Sequence, residues 1–334
     1  MANWEWLQEL IRATQQSDSA GYWNSQVAKE REKNPNYVID LSKMSRKMTH
    51  LDGFDLRRVV FSGSTIDYAT MNESDLRQSN FSDVQLQSGS LRKANLESVS
   101  FENAVLCHTH FDEALIGPTK FSGADLRGAT FIKCNCTKAV FRDANLAGTL
   151  FQEAVMNGVD LSSCTVQDAR IILSQANRIK LLERKLVNNS FKQSQLAEAT
   201  FAGSQIIDTT FQEAILRSAC FASSTLNNVS FQDADLNNAD FSGATLTNVN
   251  FAGASLHEVK LDAVALDGAI FFVGDGPKLE PLKKCTNPAR MSAEVVETLP
   301  IAPKRKAHLK ALLGYVPEGG LIKKFLSRRS ENQQ

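Results

Sequence analysis

The chain has 334 residues, 43% of them apolar and 22% charged, with equal numbers of acidic and basic groups. This is the composition of a folded protein and excludes a disordered one; zero net charge gives no whole-molecule attraction to nucleic acid or membrane. No apolar run reaches the roughly 18 residues that crossing a bilayer requires.

The N-terminus carries Trp4, Glu5 and Gln8 where a signal peptide would need a basic start and an apolar run, so a cytoplasmic location is expected. The stretch from Trp4 to Gln15 predicts an amphipathic helix with Trp4, Leu7, Leu10 and Ile11 on one face. A second helix is predicted from about Tyr22 to Lys33, ended by Asn34-Pro35, because the residue before a proline avoids the helical conformation. Residues 1–48 are read as a helical N-terminal cap.

From Leu51 a different rule takes over. Every fifth residue as far as Phe271 is apolar, as in Leu51, Leu56, Phe61, Ile66 and Met71. A period of five is neither the 3.6 of a helix nor the 2 of a strand. Two residues before these positions there is almost always a small residue or Val, typified by Ala94, Ala124, Ala144 and Ala239. The other three positions are polar and rich in Asp, Asn, Ser, Arg and Gly. Each five-residue unit therefore hides one large and one small side chain and then turns a corner. Phe recurs every ten residues from Phe101 to Phe151, and again from Phe191 to Phe251. With four units per coil, Phe falls on two opposed sides and aliphatic residues on the other two. Coils stacked about 4.8 Å apart would make about eleven turns into a rod on the order of 50 Å long. Both ends of such a solenoid need covering.

Units such as Ala-Asp-Leu-Arg-Gly (124–128), Ala-Asn-Leu-Ala-Gly (144–148) and Ala-Asp-Phe-Ser-Gly (239–243) resemble the repeat of the pentapeptide-repeat family. The resemblance covers about two thirds of the chain. It implies an all-β solenoid, a right-handed quadrilateral β-helix over 49–273, between helical N-terminal and C-terminal segments. Trp23-Asn24 and Asn34-Pro35 ahead of Asp40-Leu41-Ser42 resemble a lead-in found before many such β-helices. Family members range from topoisomerase-binding proteins to secreted bacterial effectors, so the resemblance speaks to fold far more than to function.

Two segments depart from the repeat. In 174–190 the small-residue slots hold Ile179, Arg184 and Asn189. The run Ser174 to Leu186 lacks Gly and is rich in helix formers, which predicts a helical excursion or a distorted coil. Its cations Arg178, Lys180, Arg184 and Lys185 make it a candidate partner contact. The segment 274–334 carries twelve Lys and Arg against six Asp and Glu. It predicts one helix over 304–313, with Lys304, Arg305 and Lys306, and a second over 321–329, with Lys323, Lys324, Arg328 and Arg329. Three readings of this tail compete: it caps the rod or pairs two rods into a homodimer, it docks a protein or acidic partner, or it touches anionic membrane. The first is preferred.

No dinucleotide-binding, P-loop, HExxH or GxSxG motif is present. Cys107-His108-Thr109-His110 is the one dense Cys/His run, placed by the register at outward or corner positions, and it lacks a spaced fourth ligand. Cys134 and Cys136 fall in inward slots as core filler, and the six cysteines read as free thiols of a reducing compartment. The expectation is a non-enzymatic protein-binding scaffold with no cofactor and no direct nucleic-acid contact. A DNA mimic that binds gyrase, as in antibiotic-resistance members of the family, and a secreted effector are the alternatives. The mimic needs an acidic stripe, and Arg57, Arg58, Arg77, Arg92, Arg127 and Arg142 interrupt every candidate row.

Overall fold

The structure is a computed structural model that describes residues 4–47, 49–261, 264–267 and 290–291. It is a right-handed, four-sided β-helix of about 10 turns with two short helices at its N-terminal end. Consecutive coils pair in parallel at a constant offset of twenty residues, from Ile39↔Val59 through Asp125↔Asn145 to Asp240↔Lys260. Most sides are joined by single bridges. On one side the pairing widens into continuous sheet, running through Lys185–Val187, Gln205–Ile207, Thr225–Asn227, Thr245–Thr247, Ala265–Asp267 and Arg290–Met291.

The five-residue rule has a direct physical cause. In almost every unit the large residue and the small residue two before it point inward and are buried, while the residue between them bridges to a neighbouring coil. At most corners the second residue after the large one turns the chain with a positive φ, Lys138 and Ser163 being exceptions. Gly supplies it at 53, 63, 123 and 148, but Asp83, Lys93, Asn103 and even Leu173 adopt it too. A side chain there costs about 1–2 kcal/mol. The same residue's N–H donates to the next coil, as Lys93 N does to Asp112 O at 2.9 Å and His108 N to Arg127 O at 2.8 Å, which offsets the strain. At one corner the third position is Pro118, whose ring forbids positive φ. There the left-handed conformation moves back to Gly117 (φ 49°).

Phenylalanines one coil apart stack nearly flat, at 4.7 Å for Phe111–Phe131 and 5.4 Å for Phe101–Phe121. Those ten apart meet edge to face from opposite sides, 5.9 Å for Phe101–Phe111. The core is thus two ring ladders interlocked across the axis, both geometries being favoured by the ring quadrupole. Where the small slot is polar, its side chain mostly donates to a carbonyl of the coil before. Ser64 Oγ reaches Leu41 O at 3.0 Å, and Thr109 Oγ1 reaches Leu86 O at 2.7 Å. Cys134 Sγ does the same to Phe111 O at 2.9 Å. Burial pushes the Cys134 and Cys164 thiols up to about 12, so both are inert filler.

The segment 174–190 does not leave the coil and forms no helix, which corrects the predicted excursion. Gln175 bridges Gln195, Lys180 bridges Thr200, and Lys185–Val187 pairs with Gln205–Ile207. Its inward positions explain this. Ile171, Ala176, Leu181 and Leu186 are buried in register, and so is Ile179, a large residue in the small slot that follows Ala176. Asn189 is buried with its Nδ2 donating to Val166 O (3.2 Å) and its Oδ1 accepting from Ala169 N (2.9 Å). Stacking on adjacent coils overrides local helix propensity.

The coil also begins earlier than 49. Ile39–Asp40 already pairs with Val59–Val60, inside the stretch assigned to the cap. Arg46, a polar residue at a large-residue position, hides this start in the sequence. Helix α1 spans Trp4–Ala13 and helix α2 spans Ser19–Lys33. Asp18 caps α2, accepting from Gly21 N at 2.9 Å. The buried face of α1 is Trp6, Leu10 and Ala13, while Trp4 is 68% exposed, so the predicted face is turned. Trp6 wins the interior because its ring meets Trp23 edge-on at 5.3 Å and its Nε1 donates to Tyr37 Oη. The predicted C-terminal helices and the register at Phe271 lie outside the described residues.

Candidate functional site

Three of every five side chains face solvent at spacings fixed by the coil. Around the N-terminal end they are tied to the helices. Trp23 stacks on Phe54 at 5.8 Å and donates from Nε1 to Asp55 O at 2.9 Å. Asn24 brackets the same corner, its Nδ2 donating to Gly53 O and its Oδ1 accepting from Asp55 N.

Beside this junction stands a repeated ion pair. In Asp55-Leu56-Arg57 the arginine folds back over the buried leucine, with Nε to Asp55 Oδ1 at 2.9 Å and Nη2 to Oδ2 at 2.6 Å. Asp75-Leu76-Arg77 repeats this one coil on with the same two distances. Asp125-Leu126-Arg127 does so on another side. Arg31 of α2 joins the first pair through Asp55 and the Arg57 carbonyl. Burial opposes ionisation of Asp55, but the hydrogen bonds of Arg57 and Arg31 prevail and hold its carboxyl below the ordinary carboxylate value. Arg31, Pro35, Arg57, Arg58, Arg77 and Gln78 together line a cavity of about 230 Å³.

A second feature lies on the side that runs through Phe61, Phe81, Phe101, Phe121 and Phe141 and continues through Leu161 and Leu181. Lys120 bridges Val140 and Asp160 bridges Lys180, but Val140 and Asp160 do not bridge each other. The ring ladder stops at this step from Phe141 to Leu161, and Ser163 does not take the left-handed corner conformation. Asp143 N donates instead to Ser163 Oγ at 2.9 Å. The opening is a cavity of about 440 Å³ lined by Ala139, Val140, Phe141, Arg142, Asp160, Ser162 and Ser163. Val140 beside it is 44% exposed, and Leu182, one coil beyond Ser162, is 36% exposed.

The candidate cations of 174–190 fall on three successive sides of one coil and are not gathered into a patch. Arg178 is paired with Glu198 at 2.9 Å. Lys180 and Lys185 are exposed on the next two sides, and Arg184 sits half-buried in the slot between, donating from Nε to Leu182 O at 3.1 Å. Lys304, Arg305, Lys306, Lys323, Lys324, Arg328 and Arg329 lie outside the described residues. Cys107 is buried rather than outward, its Sγ 3.7 Å from Arg127 Nη2, and burial raises its pKa. Among the described residues no three His, Cys, Asp or Glu side chains gather to hold a metal ion.

Sequence reasoning missed the arginine cavity. Folding the sequence on twenty puts Arg57 above Arg77 and gives part of the signal. Arg31 comes from a helix whose docking no local pattern reveals. The opening at Val140 has a fainter trace, the halt of the ten-residue Phe rhythm after Phe151.

Comparison with known proteins is consistent with this architecture. No curated protein matches the sequence. The sequence family described as pentapeptide repeats (8 copies) matches 49–78, 79–115, 119–158 and 139–174, and the one described as pentapeptide repeat region matches 194–271. Among solved structures, HetL of the cyanobacterium Nostoc sp. strain PCC 7120, involved in heterocyst differentiation regulation, is 20% identical. It covers 74% of this chain and 92% of its own, with a TM-score of 0.21. QnrB1, a plasmid-mediated fluoroquinolone resistance protein, is 19% identical over 68% of this chain and 91% of its own, with a TM-score of 0.28. A protein of the Arabidopsis thaliana thylakoid lumen is 29% identical over 34% of this chain and 72% of its own, with a TM-score of 0.27. The repeat matches span most of the coil, and the chain belongs to the pentapeptide-repeat family.

Proposed function

We propose that the protein is a non-enzymatic scaffold that binds a protein partner on the side of its rod around Val140. One observation carries this reading. Two exposed aliphatic side chains, Val140 and Leu182, flank an opening in an otherwise closed ladder; Arg142 and Asp160 line it, and Lys180 bridges Asp160 one coil on. An apolar centre inside a ring of mixed charge is how protein interfaces are built. The free thiols of Cys107, Cys134, Cys136, Cys164 and Cys220 support a reducing, cytoplasmic setting.

A gyrase-binding DNA mimic is less well supported, because it needs carboxylates free to present a row of charge. Here Asp55, Asp75, Asp125 and Asp235 each hold an arginine. Gyrase supercoiling should therefore be unchanged by the protein in excess. The scaffold reading is tested by placing a photo-crosslinking residue at Arg142 in cells of the source organism. A discrete crosslinked protein should appear, and Val140→Asp with Leu182→Asp should abolish it without changing the circular-dichroism spectrum. A crosslink untouched by the double substitution would sink the assignment to this side.

A further inference from the structure

The cavity between α2 and the first coils carries more positive charge than holding the helix requires. Arg31 is spent on that task, with its two terminal nitrogens on Asp55 and the Arg57 carbonyl. Arg57 and Arg77 give Nε and Nη2 to their own aspartates. Among the described residues neither Nη1 has a partner, and the two side chains are 42% and 43% exposed. Arg58 gives Nε to Gln78 at 2.8 Å and Nη1 to Pro35 O, which leaves its Nη2. Four guanidiniums line the space; Asp55 and Asp75 pair with them and Glu97 acts on Arg77 from one coil further, so the lining keeps a net positive charge.

We propose that this cavity binds a dianionic phosphoryl group. The remaining positive charge favours the nearly double negative charge that a phosphate monoester carries above its second pKa of about 6. Guanidinium edges suit phosphate oxygens, which accept several N–H groups at once. The donors are already held: each aspartate fork fixes its arginine, so little side-chain freedom is lost on binding. A cavity of about 230 Å³ takes one such group with a few waters, each about 30 Å³. The group can arrive as free phosphate or on a phosphorylated side chain, and the chemistry recognised is the same.

The test titrates the full chain by calorimetry with inorganic phosphate and, separately, with a phosphoserine peptide and its unphosphorylated form. Ionic strength is held constant at pH 7.5. Saturation by phosphate identifies the free anion as sufficient, whereas saturation by the phosphopeptide alone identifies a phosphorylated side chain. In either case Arg58→Gln with Arg77→Gln should weaken binding about tenfold or more, as loss of charge-assisted hydrogen bonds does. Binding should also weaken on going to pH 5, where the phosphoryl group is singly charged. If the double variant fails to keep the parent circular-dichroism spectrum, Arg77→Lys, which keeps the charge but loses the planar edge, should still weaken binding several-fold. Failure of both phosphate and phosphopeptide to saturate, or equal binding by parent and a folded variant, would overturn the proposal.

Discussion

The coils built on phenylalanine and those from Met156 to Leu186 fold one backbone around different fillings. From Phe101 to Phe151 every ring on two sides has neighbours stacked and edge-on. From Met156 to Leu186 the same inward positions hold Leu161, Val166, Ile171, Ala176, Leu181 and Leu186, all buried and in the same twenty-residue pairing. The contrast shows that ring stacking does not set the register. The inter-coil hydrogen bonds and the inward alternation of large and small set it, and the rings add packing on top. The aliphatic coils keep that register with the sizes locally exchanged, Ile179 in a small slot three residues from Ala176 in a large one, both buried.

That comparison can be broken first at the rings. Phe121→Ala should cost about 4 kcal/mol in chemical denaturation. Leu181→Ala on the same side should cost less, by about the 0.5–1.5 kcal/mol that an aromatic pair adds. Equal losses would mean the ladders contribute only volume. The exchange inside the aliphatic coils comes next. Ala176→Leu alone should overpack and cost about 1–3 kcal/mol. Combined with Ile179→Ala it should recover part of that loss, and strict additivity would refute the compensation. At the Leu173 corner (φ 55°), Leu173→Asn relieves left-handed strain and should raise stability by about 0.5–1 kcal/mol, read as a higher denaturation midpoint. The smallest effect belongs to neither region but to the N-terminal junction. The Asp55 pKa is lower in the folded protein than in the unfolded chain. Its pairing therefore stabilises fully above the unfolded carboxylate value, and that contribution is lost as pH falls through the folded one. Stability measured against pH should show a shallower acid loss in Asp55→Asn than in the parent.

The sequence makes the coil legible because burial at a period of five has no helical or single-strand equivalent. It misleads where local and global signals part. Leu181, Leu182, Glu183, Arg184 and Lys185 favour a helix by propensity, yet every fifth residue there still points inward, and inward packing prevails. Arg46 conceals the first coil because an end coil tolerates a half-exposed polar residue at a large-residue position. Trp4 and Trp6 are equally apolar, and only the ring of Trp23 and the hydroxyl of Tyr37 decide which one is buried. The arginine cavity was half legible: the Asp-Leu-Arg units are visible in the chain, and the contribution of Arg31 is not.

The constant offset of twenty residues also makes the rod a ruler with quantised edits. Gain or loss of a whole coil changes its length and leaves every outward side chain downstream on its original side. Gain or loss of a single unit still keeps the inward alternation, because each unit brings its own large and small residue, although it sets rings against aliphatic side chains at the junction. It nevertheless rotates everything beyond it by a quarter turn, carrying Val140 and Leu182 away from the side that holds the arginine cavity's neighbours or toward it. Repeat number in such a chain therefore sets the angle between its two ends as well as the distance, and relatives that differ by one unit can share a core while presenting different surfaces.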